Sequence, residues 1–225
     1  MLFSKDKTEK GGAMRSIEEV VAYASGALSR AAHERLLADD PRDHAPKWHV
    51  YGLLGHMYAV IEAAKRIEQR LELDFDLVRL SALHDIGKIK QFPEACRLVD
   101  AGQGTNRLYV GHENRSAGYA LKVLCLPGDD VAAIKWHGLA YQARPETIAQ
   151  HLGSEGAFLK WMLLSAADAV GFGWTEAQKA GRPKTAERFE EAASLLGAMP
   201  DSRALQVACD AVRTWQPVDP LEFTL

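Results

Sequence analysis

Apolar residues recur every three to four positions along most of the chain, which is the spacing of amphipathic helices. Strand-like alternation is weak throughout, and no internal repeat, low-complexity tract or long linker divides the chain. The pattern therefore predicts an all-α protein, a single-domain helical bundle. The predicted helices span approximately 16–37, 48–71, 77–87, 112–124, 129–141, 154–170, 185–196 and 202–214.

Polar residues and helix breakers suggest where these helices begin and end. Ser16 with Glu19 three positions later forms a capping-box pattern, and Asp74 or Asp76 can cap the third helix, which we expect to end near Gly87. Residues 91–109 read as a short helix followed by a loop or a small hairpin. The loop 39–46 and the Gly-Arg-Pro sequence at 181–183 are expected to separate helices.

These patterns divide the chain into four consecutive segments. Residues 1–15 are expected to form a mobile tail, 16–46 an N-terminal helix and loop, 47–173 a core, and 174–225 C-terminal helices packed on that core. The last segment is expected either to shape a substrate cleft or to make a contact in a homodimer, and the sequence leaves both alternatives open.

Composition excludes several functional classes. The 225 residues include 27 Lys and Arg against 30 Asp and Glu, so there is no basic excess of the kind a duplex-DNA binder needs. A hydrophobic content of 47% argues against a disordered chain. Three scattered Cys without CxxC spacing argue against a thiolate zinc site or a disulfide framework. Without a signal-like or membrane-length apolar run, we expect a cytoplasmic protein with no membrane partner.

Histidines are the most informative residues. Four of the eight lie 28, 28 and 25 residues apart, each in or at the end of a different predicted helix: His56, His84, His112 and His137. The others are interpreted as ordinary core or surface residues: His33, His44, His49 and His151. Asp168 lies in an otherwise apolar helix, where a buried carboxylate needs a cation, a hydrogen-bonding partner or solvent. Such residues can converge inside a helical bundle and bind metal.

The sequence His84-Asp85-Ile86-Gly87-Lys88 directly follows an apolar run. His84 and Asp85 can both reach one ion at the end of a helix, and the two oxygens of Asp85 can bridge two ions. Gly87 is expected to break the helix and to allow close approach of another backbone. Lys88, one turn beyond His84, brings an ammonium group to this position, which indicates an anionic substrate.

The ordered pattern resembles the HD-domain superfamily of metal-dependent phosphohydrolases, whose hallmark is H…HD…D. Here His56, His84-Asp85 and Asp168 match it, and His49 is a rival for the upstream ligand. Two sequence motifs are most similar to the HD domain of bacterial tRNA nucleotidyltransferases: GHENRSAG around His112 and LLSAADAVG around Asp168. The likeness spans about 48–172 and includes nothing of the nucleotidyltransferase part, so synthesis of tRNA ends is not implied.

This resemblance implies a bundle of the HD-domain or phosphodiesterase-like type with one or two divalent ions (Mn, Fe, Ni, Co, Zn or Mg). One ion would be held by His56, His84, Asp85 and Asp168. Asp85 would bridge to a second ion, held also by His112 and His137. Asp85 and Lys88 would be the catalytic residues, and the substrate-binding residues would be Lys88, Glu113 and Arg115.

The implied reaction is hydrolysis of a phosphate ester by a metal-activated water. A nucleotide phosphodiester, including a 2′,3′-cyclic nucleotide, is the first candidate, so the expected partner is a small phosphorylated substrate. One alternative is a 5′-nucleotidase that acts on (deoxy)nucleoside monophosphates. An alternative of another class is a non-catalytic regulatory domain that binds metal or nucleotide.

Overall fold

The computed structural model describes residues 22, 24–173, 175–197 and 202–217, and every regular element in them is helical, which confirms the all-α prediction. None of the helices within those ranges is long and apolar enough to cross a membrane. The helices are α1 Arg30–Leu37, a 3-10 turn Pro41–Asp43, α2 Leu53–Glu68, α3 Leu77–Leu83, α4 Ile86–Ile89, α5 Phe92–Asp100, α6 His112–Lys122, α7 Gly128–Trp136, α8 Leu139–Gln142, α9 Pro145–Leu152, α10 Glu155–Gly171, α11 Glu176–Leu196 and α12 Ser202–Thr214.

Helix α10 is the centre of the bundle. From Trp161 to Gly171 every residue is buried, because the helix is apolar on all sides and other helices cover it. Helices α2, α3, α7 and α12 pack around it. The aromatic residues Phe158 and Trp161 belong to this core.

The crossing of α2 and α10 is unusually close because Gly171 lies at the contact. A Cβ atom at Gly171 would lie 2.8 Å from the backbone nitrogen of Val60, so a larger residue would force the helices apart. His56 lies one turn before Val60, and Asp168 lies one turn before Gly171. The close crossing therefore brings these two polar side chains together inside an apolar core.

The third predicted helix ends earlier than expected. Asp76 caps it by accepting a hydrogen bond from the backbone nitrogen of Arg79 at 2.7 Å. The helix stops at Leu83, and Asp85 takes φ −109° and ψ 5°, a sparsely populated backbone region in which many active-site residues lie. Gly87 does not break the helix as predicted, since it lies inside α4.

Several other boundaries differ from the predictions. The first predicted helix is interrupted at 26–29, and Ser29 caps α1, while Ser16, Glu19 and the tail 1–15 lie outside the described residues. Helix α2 begins only at Leu53, where the Asp39 carboxylate accepts a hydrogen bond from the Gly55 backbone at 2.9 Å. The predicted helix 129–141 is divided at 137–138, and the loop after α5 contains no hairpin.

The C-terminal half of the fold differs most from its prediction. Helix α9 was not predicted, and α11 runs without a break through 181–183, although Pro183 removes one backbone donor there. Arg182 compensates by tertiary contacts, because its buried guanidinium donates to the carbonyls of Ala211, Val212 and Trp215 at the end of α12. Packing therefore overrides the local tendency of this sequence to form a turn.

Candidate metal centre

The structure brings all six predicted ligands together. Two lie inside long helices, His56 in α2 and Asp168 in α10. The other four lie at helix ends: His84 and Asp85 after α3, His112 at the start of α6 and His137 after α7. Gly111, with φ +77°, takes the left-handed conformation that lets the chain enter α6 at His112.

Four of these residues form what we term the first donor cluster: His56, His84, Asp85 and Asp168. The Nε2 atom of His56 lies 3.1 Å from Asp85 Oδ2, 3.2 Å from Asp168 Oδ1 and 3.3 Å from His84 Nε2. His84 Nε2 lies 3.4 Å from both carboxylate oxygens. Separations of this size are expected when ligands surround one ion at about 2.0–2.2 Å.

The second donor cluster consists of Asp85, His112 and His137. Asp85 contributes its other oxygen, Oδ1, which lies 2.9 Å from His112 Nε2 and 3.8 Å from His137 Nε2. The two histidine nitrogens lie 3.3 Å apart. The carboxylate of Asp85 thus faces one cluster with each oxygen, as a carboxylate that bridges two ions must.

All four histidines present the same ring nitrogen to the centre. In each ring Nδ1 lies near a backbone carbonyl that can accept its hydrogen: Gly171 at 3.1 Å for His56, Ser81 at 2.6 Å for His84, Tyr109 at 2.7 Å for His112 and Ile134 at 2.7 Å for His137. These contacts favour the Nδ1–H tautomer and direct the Nε2 lone pairs inward, an arrangement typical of metal-bound histidine.

Three buried carboxylate oxygens fit a cation as their partner. Asp85 Oδ1, Asp85 Oδ2 and Asp168 Oδ1 are buried and accept no hydrogen bond of good geometry, and of the three only Asp85 Oδ2 has a lysine ammonium beside it, that of Lys88 at 2.6 Å. Such oxygens are costly in a protein interior unless a positive charge compensates them. The remaining oxygen, Asp168 Oδ2, accepts a hydrogen bond from the Tyr141 hydroxyl at 2.7 Å, which fixes the carboxylate plane. These buried His and Asp groups could therefore hold a metal ion.

Protonation in the centre follows from burial and the neighbouring charges. Burial tends to raise the pKa of Asp85, but the charges of His84 and Lys88 outweigh it and hold that pKa well below its usual range. Burial lowers the pKa of His84, yet Asp85 and Asp168 outweigh it and raise the pKa to about 10. For His137, burial dominates and lowers the pKa to about 4. In the metal-free centre the neighbouring carboxylates thus favour a protonated His84, and burial favours a neutral His137.

Lys88 lies directly beside the centre. Its ammonium is 2.6 Å from Asp85 Oδ2 and 3.0 Å from His44 Nε2, and its side chain is 6% exposed. His44 is buried, and burial together with the Lys88 charge lowers its pKa well below the usual range. A neutral His44 can accept a hydrogen bond from Lys88 and orient the ammonium toward the cluster, a contact that the sequence did not reveal.

His49 occupies a position behind the first cluster. Its ring stacks on His44 with the centroids 3.8 Å apart and meets the His56 ring edge-on at 4.6 Å. His49 lies in the turn before α2 and on a different element from His56, contrary to the prediction of one helix over 48–71. The described contacts place His56, and not His49, within reach of both carboxylates.

A cleft of about 400 Å³ leads from the centre toward α11. It reaches both histidines of the second cluster and the two ligand carboxylates, but not His56 or His84. Trp48, His49, Tyr141 and Phe172 line one part of it, and α11 lines another with Ala177, Gln178, Gly181, Lys184, Thr185 and Arg188.

The two other predicted substrate contacts have different positions. Glu113 lines the cleft, with its Oε2 atom 3.4 Å from His112 Nδ1. Arg115 is exposed, lies outside the cleft lining, and donates a long hydrogen bond of 3.4 Å to the carbonyl of Val110. Substrate contact by Arg115 remains a prediction that this geometry does not favour.

Comparisons with protein-family models, with curated proteins and with solved structures found no match to this chain. The resemblance to HD domains therefore rests on the sequence pattern alone.

Proposed function

We propose that the protein is a metal-dependent phosphohydrolase of the HD-domain type. The observation that carries this proposal is the carboxylate of Asp85, whose two oxygens face separate donor clusters at the inner end of a cleft. A carboxylate that holds two divalent ions side by side is a recurring feature of enzymes that hydrolyse phosphate esters. The buried Lys88 ammonium next to it supports an anionic substrate.

The bound divalent ions would polarise the phosphoryl group and make water a nucleophile at neutral pH. The protein's own residues would hold the metal ligands and the substrate in position. The Nδ1–H contacts of the four histidines keep their rings in place, and Tyr141 aligns Asp168. Lys88, which contacts His44, would pair with a phosphoryl oxygen. No Ser or Cys is among the described residues that line the cleft, so the proposal includes no such nucleophile.

For the substrate we propose a nucleotide phosphodiester, with a 2′,3′-cyclic nucleotide as the specific candidate. For the ions we propose Mn, Fe, Ni, Co, Zn or Mg, because imidazole and carboxylate ligands without thiolates suit these metals. A cleft of about 400 Å³ lies within the usual range of small-molecule sites.

A substrate panel tests the proposed function. Metal-stripped protein, supplied separately with Mn²⁺, Co²⁺ or Ni²⁺, is assayed on bis(p-nitrophenyl) phosphate, on 2′,3′-cyclic nucleotides and on nucleoside 5′-monophosphates. We expect cleavage of the diesters. Phosphate release from monophosphates alone would instead indicate a 5′-nucleotidase. Absence of hydrolysis with every metal would overturn the proposal and favour a regulatory domain.

A further inference from the structure

One wall of the cleft is a face of α11. Ala177, Gly181, Lys184 and Arg188 recur at intervals of four, three and four residues, so they lie along the same side of the helix. All four line the cleft. The two small residues leave room for a ligand, and two basic residues follow them toward the C-terminal end of the face.

Two of the three basic residues on this wall have partners within the fold. Arg182 donates to the carbonyls of Ala211 at 3.1 Å and Trp215 at 2.9 Å. Arg188 donates to the carbonyls of Ala143 at 3.0 Å and Ala140 at 3.2 Å. Both guanidinium groups thus satisfy carbonyls at the ends of neighbouring helices and fasten α11 to the bundle.

Lys184 lies between these arginines in the sequence and, unlike them, is not held by carbonyl groups of the neighbouring helices that the structure describes. It is exposed, lines the cleft, and makes no hydrogen bond or ion pair with any of the described residues. Lys88, the other lysine of the cleft, is buried and paired with Asp85. Besides the two arginines, the described lining of the cleft therefore contains one lysine beside the metal centre and a second, uncommitted lysine on α11.

We propose that Lys184 is a specificity residue that contacts a second anionic group on the substrate, apart from the phosphate at the metal centre. This inference rests on the proposed function for the position of the first phosphate. It predicts a preference for nucleotides that carry a second phosphate besides the ester at the metal centre, such as a 2′,3′-cyclic nucleotide with a 5′-phosphate. The nucleoside part would occupy the space beside Ala177 and Gly181. The residue lies in the segment 174–225, to which the HD-domain likeness does not extend.

Equilibrium binding tests this inference without requiring turnover. Calorimetric titrations compare adenosine 3′,5′-bisphosphate with adenosine 5′-monophosphate as probes on Mn²⁺-loaded protein, and phosphate release is checked in the same samples. The variants are Lys184→Met and, as a matched control, Lys179→Met. Lys179 is exposed on the same helix, pairs with Glu176 at 2.7 Å and lies outside the cleft lining.

We expect Lys184→Met to weaken bisphosphate binding about threefold to tenfold and monophosphate binding less than about twofold, since one charge-assisted contact is lost. The difference should shrink at about 0.3 M salt because exposed charges are screened. Lys179→Met should change neither affinity. An equal effect of Lys184→Met on both probes, no effect on either, or no binding of the bisphosphate to the unaltered protein would each overturn the inference. Selective loss in a protein that hydrolyses no phosphate ester would leave this inference standing and reject the proposed function.

Discussion

The two donor clusters share Asp85 but differ in their exposure. In the first cluster the four side chains are at most 3% exposed, and neither His56 nor His84 reaches the cleft. In the second cluster His112 is 13% exposed, both histidines line the cleft, and one donor separation widens to 3.8 Å.

This difference suggests a division of roles between the clusters. A site with four enclosed protein donors leaves little access for substrate, whereas a site with three donors beside a cleft keeps positions open for water and a phosphoryl oxygen, as catalytic metal sites do. We therefore expect the first cluster to bind its ion more tightly and the second to control turnover.

The largest effect is expected for Asp85→Asn, because it alters the only residue that serves both clusters. Turnover should fall at least about 1,000-fold, as several kcal/mol of charge stabilisation are lost, and bound metal should fall below one equivalent. Activity assays measure the turnover, metal analysis measures the bound metal, and circular dichroism measures the helical content. Asp74→Asn, at an exposed position, is the control and should behave like the unaltered protein. Full activity of Asp85→Asn with unchanged helical content would refute the proposed mechanism.

His56→Ala and His112→Ala should separate the two clusters. We expect His56→Ala to weaken binding of the tighter equivalent of metal. His112→Ala should retain that equivalent and lose the weaker one, while turnover falls about 100-fold or more. Titration with Mn²⁺ and rate measurement on the same samples provide the comparison. Identical loss of both equivalents in the two variants would show that the clusters do not act separately.

The pH dependence of metal binding should also differ between the clusters. Since the pKa of His84 is about 10 in the metal-free protein, an ion at the first cluster must displace a proton, and its affinity should rise about tenfold per pH unit from pH 6 to 8.5. Because the pKa of His137 is about 4, that residue releases no proton over this range. Binding of the tighter equivalent with no pH dependence would contradict this expectation. Metal titrations at several pH values are the measurement.

Tyr141→Phe tests whether the hydrogen bond from Tyr141 to Asp168 orients a ligand of the first cluster. Loss of the hydroxyl that donates to Asp168 should weaken metal binding about 10- to 100-fold, as is common for residues that orient ligands. The stability of the metal-free protein should change by only about 1 kcal/mol, the contribution of one hydrogen bond. A stability loss without any change in metal affinity would assign Tyr141 a packing role alone.

The smallest effect on turnover is expected at Gly87, where α4 meets α6. A Cβ atom would lie 2.9 Å from the backbone nitrogen of Ser116 and closer still to the carbonyl of His112. Gly87→Ala should therefore cost about 1–3 kcal/mol of stability and loosen mainly the second cluster. Gly118→Ala, at a helical position with open space around it, is the control and should stabilise by about 1 kcal/mol. Thermal unfolding measures both changes, and equal behaviour of the two variants would contradict the proposed contact.

The six residues that meet at the centre could be selected from the sequence, because the ordered His and Asp pattern resembles that of HD domains and because Asp168 stands alone in an apolar helix. Asp168 was the clearest, since a buried carboxylate needs a partner. His44 gave no comparable signal, as it lies in a loop without periodicity. Tyr141 follows His137 by four residues in the predicted helix 129–141. In the structure this helix is divided at 137–138, which the sequence did not indicate, so the contact of Tyr141 with Asp168 was not predicted.

The wall of the cleft could not be predicted, because the local sequence there suggests a turn. Gly181-Arg182-Pro183 is typical of a break between helices, yet α11 continues through it. The stabilising contacts come from the end of α12, which lies about 30 residues further along the chain. Local patterns contain no information on such distant hydrogen bonds, so the Lys184 face became evident only from the fold.

The central claim is that hydrolysis depends on ions held around Asp85. The most direct test is to titrate metal-stripped protein with Mn²⁺ and to follow the rate of bis(p-nitrophenyl) phosphate hydrolysis against the metal bound. We expect no hydrolysis without metal and a rate that rises chiefly as the second equivalent of Mn²⁺ binds. An undiminished rate in the metal-free protein would contradict it.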